Sequence, residues 1–313
     1  MELLPIPFIV GMTRSGTTLL REMFSSHPDV FIPDESQFLI EICRHHKRYE
    51  SEGRLDLARF VSDLCDDPKF EWWGPTCEEA RNVLSRTSPT SFSDALRELF
   101  LCVVRQEGAS RYGDKTPQVV GLLPIFADLF PEARFIHLIR DGRDVALSHL
   151  SINSGIDSVE EVAIVWKRQV QKGREYGYQL GPGRYREVFY EDLIRDAEGV
   201  LRSLCTFVEL EFDPRMLRYY ERPSKALDPE PKHASVRLPP TNRLRDWRHQ
   251  MSRRDIEVFE ALAGDMLVAL GYERLFPRVG ARARRRARVA KAYVATKGSV
   301  RRLLRVSYPR RQG

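Results

Sequence analysis

The sequence predicts an α/β fold in three layers, a central parallel sheet flanked by helices. Three observations predict it. Apolar runs of strand length alternate with stripes of helical period along most of the chain, the pattern of strands joined by crossover helices. The best run, Arg134 to Arg140, is apolar on both alternating faces, as a strand inside a parallel sheet must be. A length of 313 residues suits one large α/β domain, and no repeat or flexible linker appears before about residue 275.

Taken in order, Pro7-Phe8-Ile9-Val10 reads as the first strand, Gly11 to Gly16 as a turn, and Leu19, Leu20, Met23 and Phe24 as one side of a helix. His27-Pro28-Asp29 ends that helix, and Val30-Phe31-Ile32 is a candidate second strand running into Pro33-Asp34-Glu35. Residues 36–110 are helical and irregular. Their clearest piece is the stripe Phe92, Ala95, Leu96, Leu99, Phe100, Val103 and Val104. A helix over Gln118 to Phe130 precedes the strand 134–140, and the turn Asp141-Gly142-Arg143-Asp144 leads into another helix. Ser158 to Glu161 has capping-box spacing and should start a longer one. Val188-Phe189-Tyr190 reads as the next strand, Asp192 to Phe207 as helix, and 222–246 as an irregular polar loop. The stripe from Ile256 to Leu270 is the last core helix, stopped by Gly271.

Apolar residues make up 42% and charged residues 30%, with no uninterrupted apolar run near the roughly 18 a membrane-spanning helix needs. Membrane channel, collagen, coiled-coil rod and disordered chain are excluded. The start, Met1 to Pro5, lacks the basic region of a signal peptide. Five cysteines, Cys43, Cys65, Cys77, Cys102 and Cys205, form no C-x-x-C pair and are odd in number. They predict neither a zinc site nor a disulfide framework, and reduced thiols in a cytoplasmic protein are expected. The net charge of +6 hides a partition: 14 basic and no acidic residues follow from Arg274, leaving 36 basic against 44 acidic before it. The expected division is a domain at 1–275 and a basic tail at 276–313.

The turn Gly11-Met12-Thr13-Arg14-Ser15-Gly16-Thr17-Thr18 has the G-x-x-x-x-G spacing of a P-loop, with Thr17 where a nucleotide triphosphatase has lysine. The physics survives that change. Glycines let backbone N–H groups turn inward, and the following helix adds its positive dipole end, so a phosphate or sulfate is attracted there. Hydroxyls of Ser15, Thr17 and Thr18 supply further donors, and Arg14 supplies a cation. An ordinary strand–helix turn would share the glycine spacing, but not the flanking strand, the amphipathic helix and the R-S-G-T-T string together.

The string G-x-x-R-S-G-T-T-L-L followed by His27-Pro28 resembles the 5′-phosphosulfate loop of sulfotransferases that use 3′-phosphoadenosine 5′-phosphosulfate (PAPS). It is most similar to the branch holding bacterial and tyrosylprotein sulfotransferases; steroid and phenol enzymes of that superfamily usually carry lysine at the position of Arg14. Phe135 to Ser148, F-I-H-L-I-R-D-G-R-D-V-A-L-S, resembles the family's second signature. The resemblance implies that Arg140 and Ser148 contact the nucleotide's 3′-phosphate. Val188-Phe189-Tyr190-Glu191-Asp192-Leu193 is a third match, placing Tyr190 among the nucleotide-binding residues, and Asp246-Trp247-Arg248 a weaker fourth. Together they span residues 6 to about 272 and imply a P-loop-like fold. Independently, an arginine at the carboxyl end of a buried strand lies where open α/β sheets bind ligands, and its fork matches a phosphate. A surface ion pair with Asp141 or Asp144 is the plainer reading of Arg140.

Sulfuryl transfer needs a base for the acceptor hydroxyl and positive charge for the leaving phosphate, and it formally requires no metal. Glu35 is the candidate base and resembles the catalytic glutamate of the tyrosylprotein branch. That branch has G-E-E-T where this chain has P-D-E-S, which leaves Asp34 open. Lys115, in Gly113-Asp114-Lys115-Thr116-Pro117, resembles the family's lysine at the bridging oxygen, a role Arg14 would share. Helix capping for Glu35 and simple solvation for Lys115 are the plainer alternatives. Trp72 and Trp73 fit either a core or an acceptor pocket, and one of Arg237, Arg243 and Arg245 is expected on phosphate. His45 and His46 read as solvated. The expected activity is transfer from PAPS to a hydroxyl, less readily an amine. The acceptor is open among carbohydrate, glycolipid, peptide tyrosine and small metabolite. The alternative is a P-loop kinase of a small metabolite. The tail, as a basic amphipathic helix, fits an anionic membrane surface better than nucleic acid, with a solvated extension the plain alternative.

Overall fold

The computed structural model describes residues 4–71, 73–152, 156, 158–222, 239 and 246–306. In chain order the elements are β1 (Ile6–Gly11), α1 (Thr17–Ser25), β2 (Val30–Phe31), α2 (Gln37–Arg44), β3 (Glu50–Ser51), β4 (Arg54–Leu55), α3 (Leu57–Cys65) and α4 (Pro68–Glu71). Next come α5 (Cys77–Thr87), α6 (Phe92–Gln106), β5 (Arg111–Tyr112), β6 (Asp114–Lys115), α7 (Leu123–Leu129), β7 (Ala133–Ile139), α8 (Gly142–Leu150) and α9 (Val159–Leu180). The chain continues through β8 (Tyr185–Phe189), α10 (Tyr190–Arg195), α11 (Ala197–Phe207), α12 (Trp247–Gln250), α13 (Arg253–Ala269) and α14 (Ala281–Val306). Two compact units result: Met1–Arg140 with Lys172–Asn242, and Asp141–Gln171 with Arg243–Gly313.

The first unit holds the sheet, in the order β6-β1-β7-β8 with every pair parallel. Phe8 stands opposite Phe135 and Ile9 opposite Ile136. Because side chains alternate across a strand, the two faces feed two cores. Phe8, Val10 and Phe135 pack with residues of α2, α3, α5, α6 and α7. Ile9, Ile136, Leu138 and Val188 pack with Leu20, Met23 and Phe24 of α1 and Leu201 and Leu204 of α11. Helices on both faces of a parallel sheet are the three layers the sequence predicts.

Several boundaries differ from expectation. Val30–Phe31 is a strand but pairs with Arg111–Tyr112 in a separate two-stranded ribbon, and the sheet's outer strand is the two-residue β6. The helix expected over 118–130 is a 3-10 turn at Pro117–Leu122 followed by α7. β8 ends at Phe189, so Tyr190 opens α10. The helix expected over 192–207 breaks at Asp196, whose carboxylate accepts the Gly199 N–H at 2.9 Å and caps α11. A side chain that bonds nearby backbone favours a cap over a helix interior. Cys65 and Cys77, 5.6 Å apart at Cα, are joined as a disulfide, against the expectation that all five thiols are reduced. Cys43 and Cys205 are free and buried.

In the second unit Arg143 has no solvent exposure. Its guanidinium forks onto Asp141 (Nε 3.0 Å, Nη2 2.8 Å), reaches Glu260 Oε1 at 2.8 Å and the Glu273 carbonyl at 2.9 Å, and lies 3.5 Å from the centroid of Trp247. Asp144 accepts the Trp247 N–H at 2.9 Å. The tail begins packed: Ala283 and Ala287 are buried, and Arg286 meets Glu160 at 2.5 Å and Asp255 at 3.0 Å. Val289 and Tyr293, one turn apart, are about 60% exposed. Among the described residues no helix is long and apolar enough to cross a membrane.

Candidate active site

The loop between β1 and α1 takes its shape from two left-handed residues, Arg14 at φ 71° and Gly16 at φ 98°. A non-glycine residue in that region stores strain of about 1–3 kcal/mol, which persists only where surrounding structure holds it. Gly16 caps α1, whose first turn receives no side-chain cap. Ser15 and Thr17 are buried; Thr13, Arg14 and Thr18 are partly open. A β-carbon on Gly16 would stand 2.5 and 2.7 Å from ring carbons of Tyr190, so the Tyr190 ring lies directly against the loop. The same ring carries Arg140 on its face, with Cζ 4.3 Å from the centroid. Loop, tyrosine and arginine therefore form one stack at the carboxyl ends of β1, β7 and β8.

A second group gathers at β6. Pairing with β1 sets Lys115 opposite Ile9. The Lys115 side chain is only 4% exposed and its Nζ donates to Glu35 Oε1 at 2.6 Å; the other Glu35 oxygen accepts from Gln37 at 3.1 Å. Burial would raise Glu35, but the charge and hydrogen bond of Lys115 outweigh it and hold the carboxyl below the ordinary carboxylate range. Burial lowers Lys115, and Glu35 offsets part of that. Asp34 goes to a different cation: Arg21 of α1, itself buried, bonds Asp34 and Glu22. The structure thus engages the two neighbouring carboxylates separately, Asp34 by Arg21 and Glu35 by Lys115.

Beneath that pair, Ser36, Asp114 and Thr116 are fully buried. Thr116 Oγ1 accepts the Ser36 N–H at 3.0 Å, and both hydroxyls bond Asp114 Oδ1. Burial pushes Asp114 up to about 6 despite those bonds. His137 is buried in the sheet with Nδ1 2.7 Å from the Tyr185 hydroxyl, and burial drops it to about 3, so it stays neutral.

Of the residues selected from sequence, Arg14, Ser15, Gly16, Thr17, Thr18, Arg140 and Tyr190 share the first stack, and Glu35 and Lys115 meet each other. Ser148 is buried on α8 in the second unit. Arg237, Arg243, Arg245 and Trp72 lie outside the described residues. Trp73 is core, packed edge-on against Phe38 at 5.1 Å and Phe100 at 4.8 Å. His45 is exposed; His46 Nδ1 contacts the Cys43 carbonyl at 2.8 Å. No cluster of three or more metal-ligating side chains occurs among the described residues. Sequence reasoning passed over Arg21, although a charged residue in the apolar stripe between Leu20 and Met23 is a signal of a buried ion pair.

A parallel α/β sheet whose first strand–helix turn faces a stacked tyrosine and arginine is an arrangement able to attract an anion. The model of the sulfotransferase family matches residues 5–214, and the chain belongs to that family. Its relatives include a protein-tyrosine sulfotransferase of Drosophila melanogaster, 25% identical over 229 residues, covering 70% of this chain and 40% of that protein. Protein-tyrosine sulfotransferase 1 of Danio rerio is 25% identical over 287 residues, 86% of this chain and 73% of that one. The chain thus spans well under half of the fly protein. Among solved structures, the sulfotransferase domain from the Synechococcus PCC 7002 olefin synthase shares the fold, with a TM-score of 0.57, 23% identity, and coverage of 86% of this chain and 95% of that domain.

Proposed function

We propose that the chain transfers a sulfuryl group from PAPS to an acceptor hydroxyl, or less readily an amine. The observation that carries this reading is the Glu35–Lys115 pair, 2.6 Å apart beside the strand that feeds the loop. Glu35 takes the proton as the acceptor oxygen forms its bond to sulfur. The bond from sulfur to the bridging oxygen breaks, and Lys115 with Arg14 holds the charge left on that oxygen. Backbone N–H groups of the loop and the hydroxyls of Ser15, Thr17 and Thr18 bind the 5′-phosphosulfate around Gly16. Tyr190 orients Arg140 for the 3′-phosphate, and Ser148 keeps the part that the resemblance implies. The reaction residues belong to a sulfotransferase domain at 1–275.

The test is calorimetric titration with adenosine 3′,5′-bisphosphate. Magnesium-independent binding is expected, and Gly16→Ala should weaken it at least tenfold, about 1.4 kcal/mol. Alanine at φ 98° is strained, and its methyl would displace the Tyr190 ring. Magnesium-dependent binding of ATP in place of the bisphosphate would transfer the site to a metabolite kinase.

The basic tail, 276–313, belongs to the same proposal, as a surface that meets an anionic membrane from the cytoplasmic side. Exposed Arg284, Arg285, Arg288 and Lys291 surround Val289 and Tyr293 on α14. Each basic residue near such a surface contributes about 1 kcal/mol. Reversing Arg284, Arg285 and Arg288 to glutamate in the full chain should reduce co-sedimentation with phosphatidylserine vesicles more than tenfold; unchanged sedimentation removes the membrane reading.

A further inference from the structure

We propose that Ser36, Asp114 and Thr116 form a buried clamp that positions Glu35 against Lys115, which makes them positioning residues for the transfer reaction. The proposal rests on Glu35 and Lys115 being the reacting pair. Every clamp residue is the chain neighbour of one member: Ser36 follows Glu35, and Asp114 and Thr116 flank Lys115. The two segments lie about 80 positions apart in sequence and are fastened at three points. Ser36 Oγ bonds Asp114 Oδ1, Thr116 Oγ1 lies 2.9 Å from Ser36 Oγ, and the Ser36 backbone N–H donates to Thr116 Oγ1 at 3.0 Å. That last bond fixes the backbone one residue from the base. Thr116 also bonds Asp114 at 3.2 Å, so the three form a closed ring.

A tether that only held the fold together would be more stable if built from apolar side chains, because a buried carboxylate carries a desolvation cost. Asp114 keeps one oxygen, Oδ2, without a hydrogen-bond partner among the described residues, and the whole side chain is sealed from water. Positioning is the return that matches this cost, since a misplacement of about 1 Å at a reacting group slows a reaction by roughly 10²-fold. In the sheet, β6 is only two residues long and pairs with β1 alone. So short a strand fixes Lys115 loosely by itself, and the clamp supplies the missing constraint.

The readout is the titration midpoint of the Glu35 carboxyl, followed by carbon-13 NMR in the full-length chain. The groups that act on Glu35 are Lys115, the Gln37 amide and Arg21, with Asp114 coupled to it and Asp34 beside it in the chain. In the wild type Lys115 holds the midpoint below the ordinary carboxylate range. If the clamp maintains the pair, S36A and T116V loosen it and burial then moves the midpoint up, by about one unit. D114A should move it up as well; at the pH of that midpoint Asp114, pushed up to about 6, is already protonated, so its removal takes away a bonding partner and no charge. T116S and D114N keep the bonds and should stay near wild type. Unmoved midpoints in S36A and T116V, or a lowered midpoint in D114A, overturn the proposal. Should D114A fail to fold, the two uncharged changes carry the test alone. A parallel sulfate-transfer assay of E35Q separates the two readings. Retained transfer there sinks the base assignment, whatever the midpoints report about the clamp.

Discussion

Glu35→Gln is expected to lower sulfate transfer by about 10²- to 10⁴-fold, the usual contribution of a positioned base, while leaving affinity for adenosine 3′,5′-bisphosphate within twofold. Glutamine keeps the size of the side chain and an oxygen for Lys115, but it cannot take a proton. Lys115→Ala should cost a similar factor by a different route, leaving charge uncompensated on the departing oxygen. Because the two groups act on one bond reorganisation, the double variant should lose far less than the product of the single losses. The pH profile adds a sign. A carboxyl held below its ordinary value is ionised throughout the neutral range, so its acid limb must lie below the ordinary carboxylate range in the free enzyme. The stabilising part of the ion pair follows the same rule: present above the unfolded value, lost as pH falls through the folded one. When a bound sulfuryl group draws Lys115 away, burial alone remains and lifts Glu35 toward the range where a base works well. The limb measured under saturating donor should therefore lie at higher pH than the limb for the free enzyme. Coincident limbs, or an E35Q variant with near wild-type turnover in a radiolabelled transfer assay, would end the assignment.

The candidate site was legible wherever its residues stand consecutively in the chain. The loop from Gly11 to Thr18 shows its glycines, hydroxyls and cation in one string, and Arg140 announces itself by ending the chain's most apolar strand. Strands β1 and β7 could be read because both faces of a buried parallel strand are apolar, whereas of β8 only Val188 and Phe189 showed, behind the charged Arg186 and Glu187. The outer strand β6 reads from sequence as no more than a strand end at Lys115. Its two residues are Asp114 and Lys115, both charged, and nothing in their pattern suggests burial; what makes burial tolerable is their pairing with Ser36, Thr116 and Glu35. For the same reason nothing was read into Arg21, since its partner Asp34 becomes a neighbour only once the turn after β2 folds back. Tyr190 was visible only through the resemblance: no local rule says that its ring will lie on Gly16. Trp73 shows the converse limit, an aromatic residue whose place between Phe38 and Phe100 depends on three helices that sequence separates widely.

The second unit offers the largest stability effect, at Arg143. Arg143→Met should destabilise that unit by about 3 kcal/mol, because it takes the buried guanidinium away from both Asp141 and Glu260, and of these Glu260 keeps Arg274 at 3.7 Å. Methionine fills most of the volume and can still lie on Trp247, so lost packing is the smaller part of the effect. Glu260 also accepts the Leu275 and Phe276 N–H groups, at 2.9 and 2.8 Å, and these can carry some of its charge but cannot neutralise it. Lysine would restore a charge without the fork that spans Asp141, Glu260 and the Glu273 carbonyl, so Arg143→Lys should recover less than half of the loss. The decisive variant is Arg143→Met combined with Glu260→Gln. Removing the charge on Glu260 should return about 1 kcal/mol relative to the single change, a coupling that additive packing losses would not produce. Thermal denaturation resolves this directly, since the single variant should melt about 10 °C lower. If Arg143→Met melts with the wild type, the buried charge cluster contributes nothing to the fold, and the arginine of the D-G-R-D turn has to be explained by something other than Asp141 and Glu260.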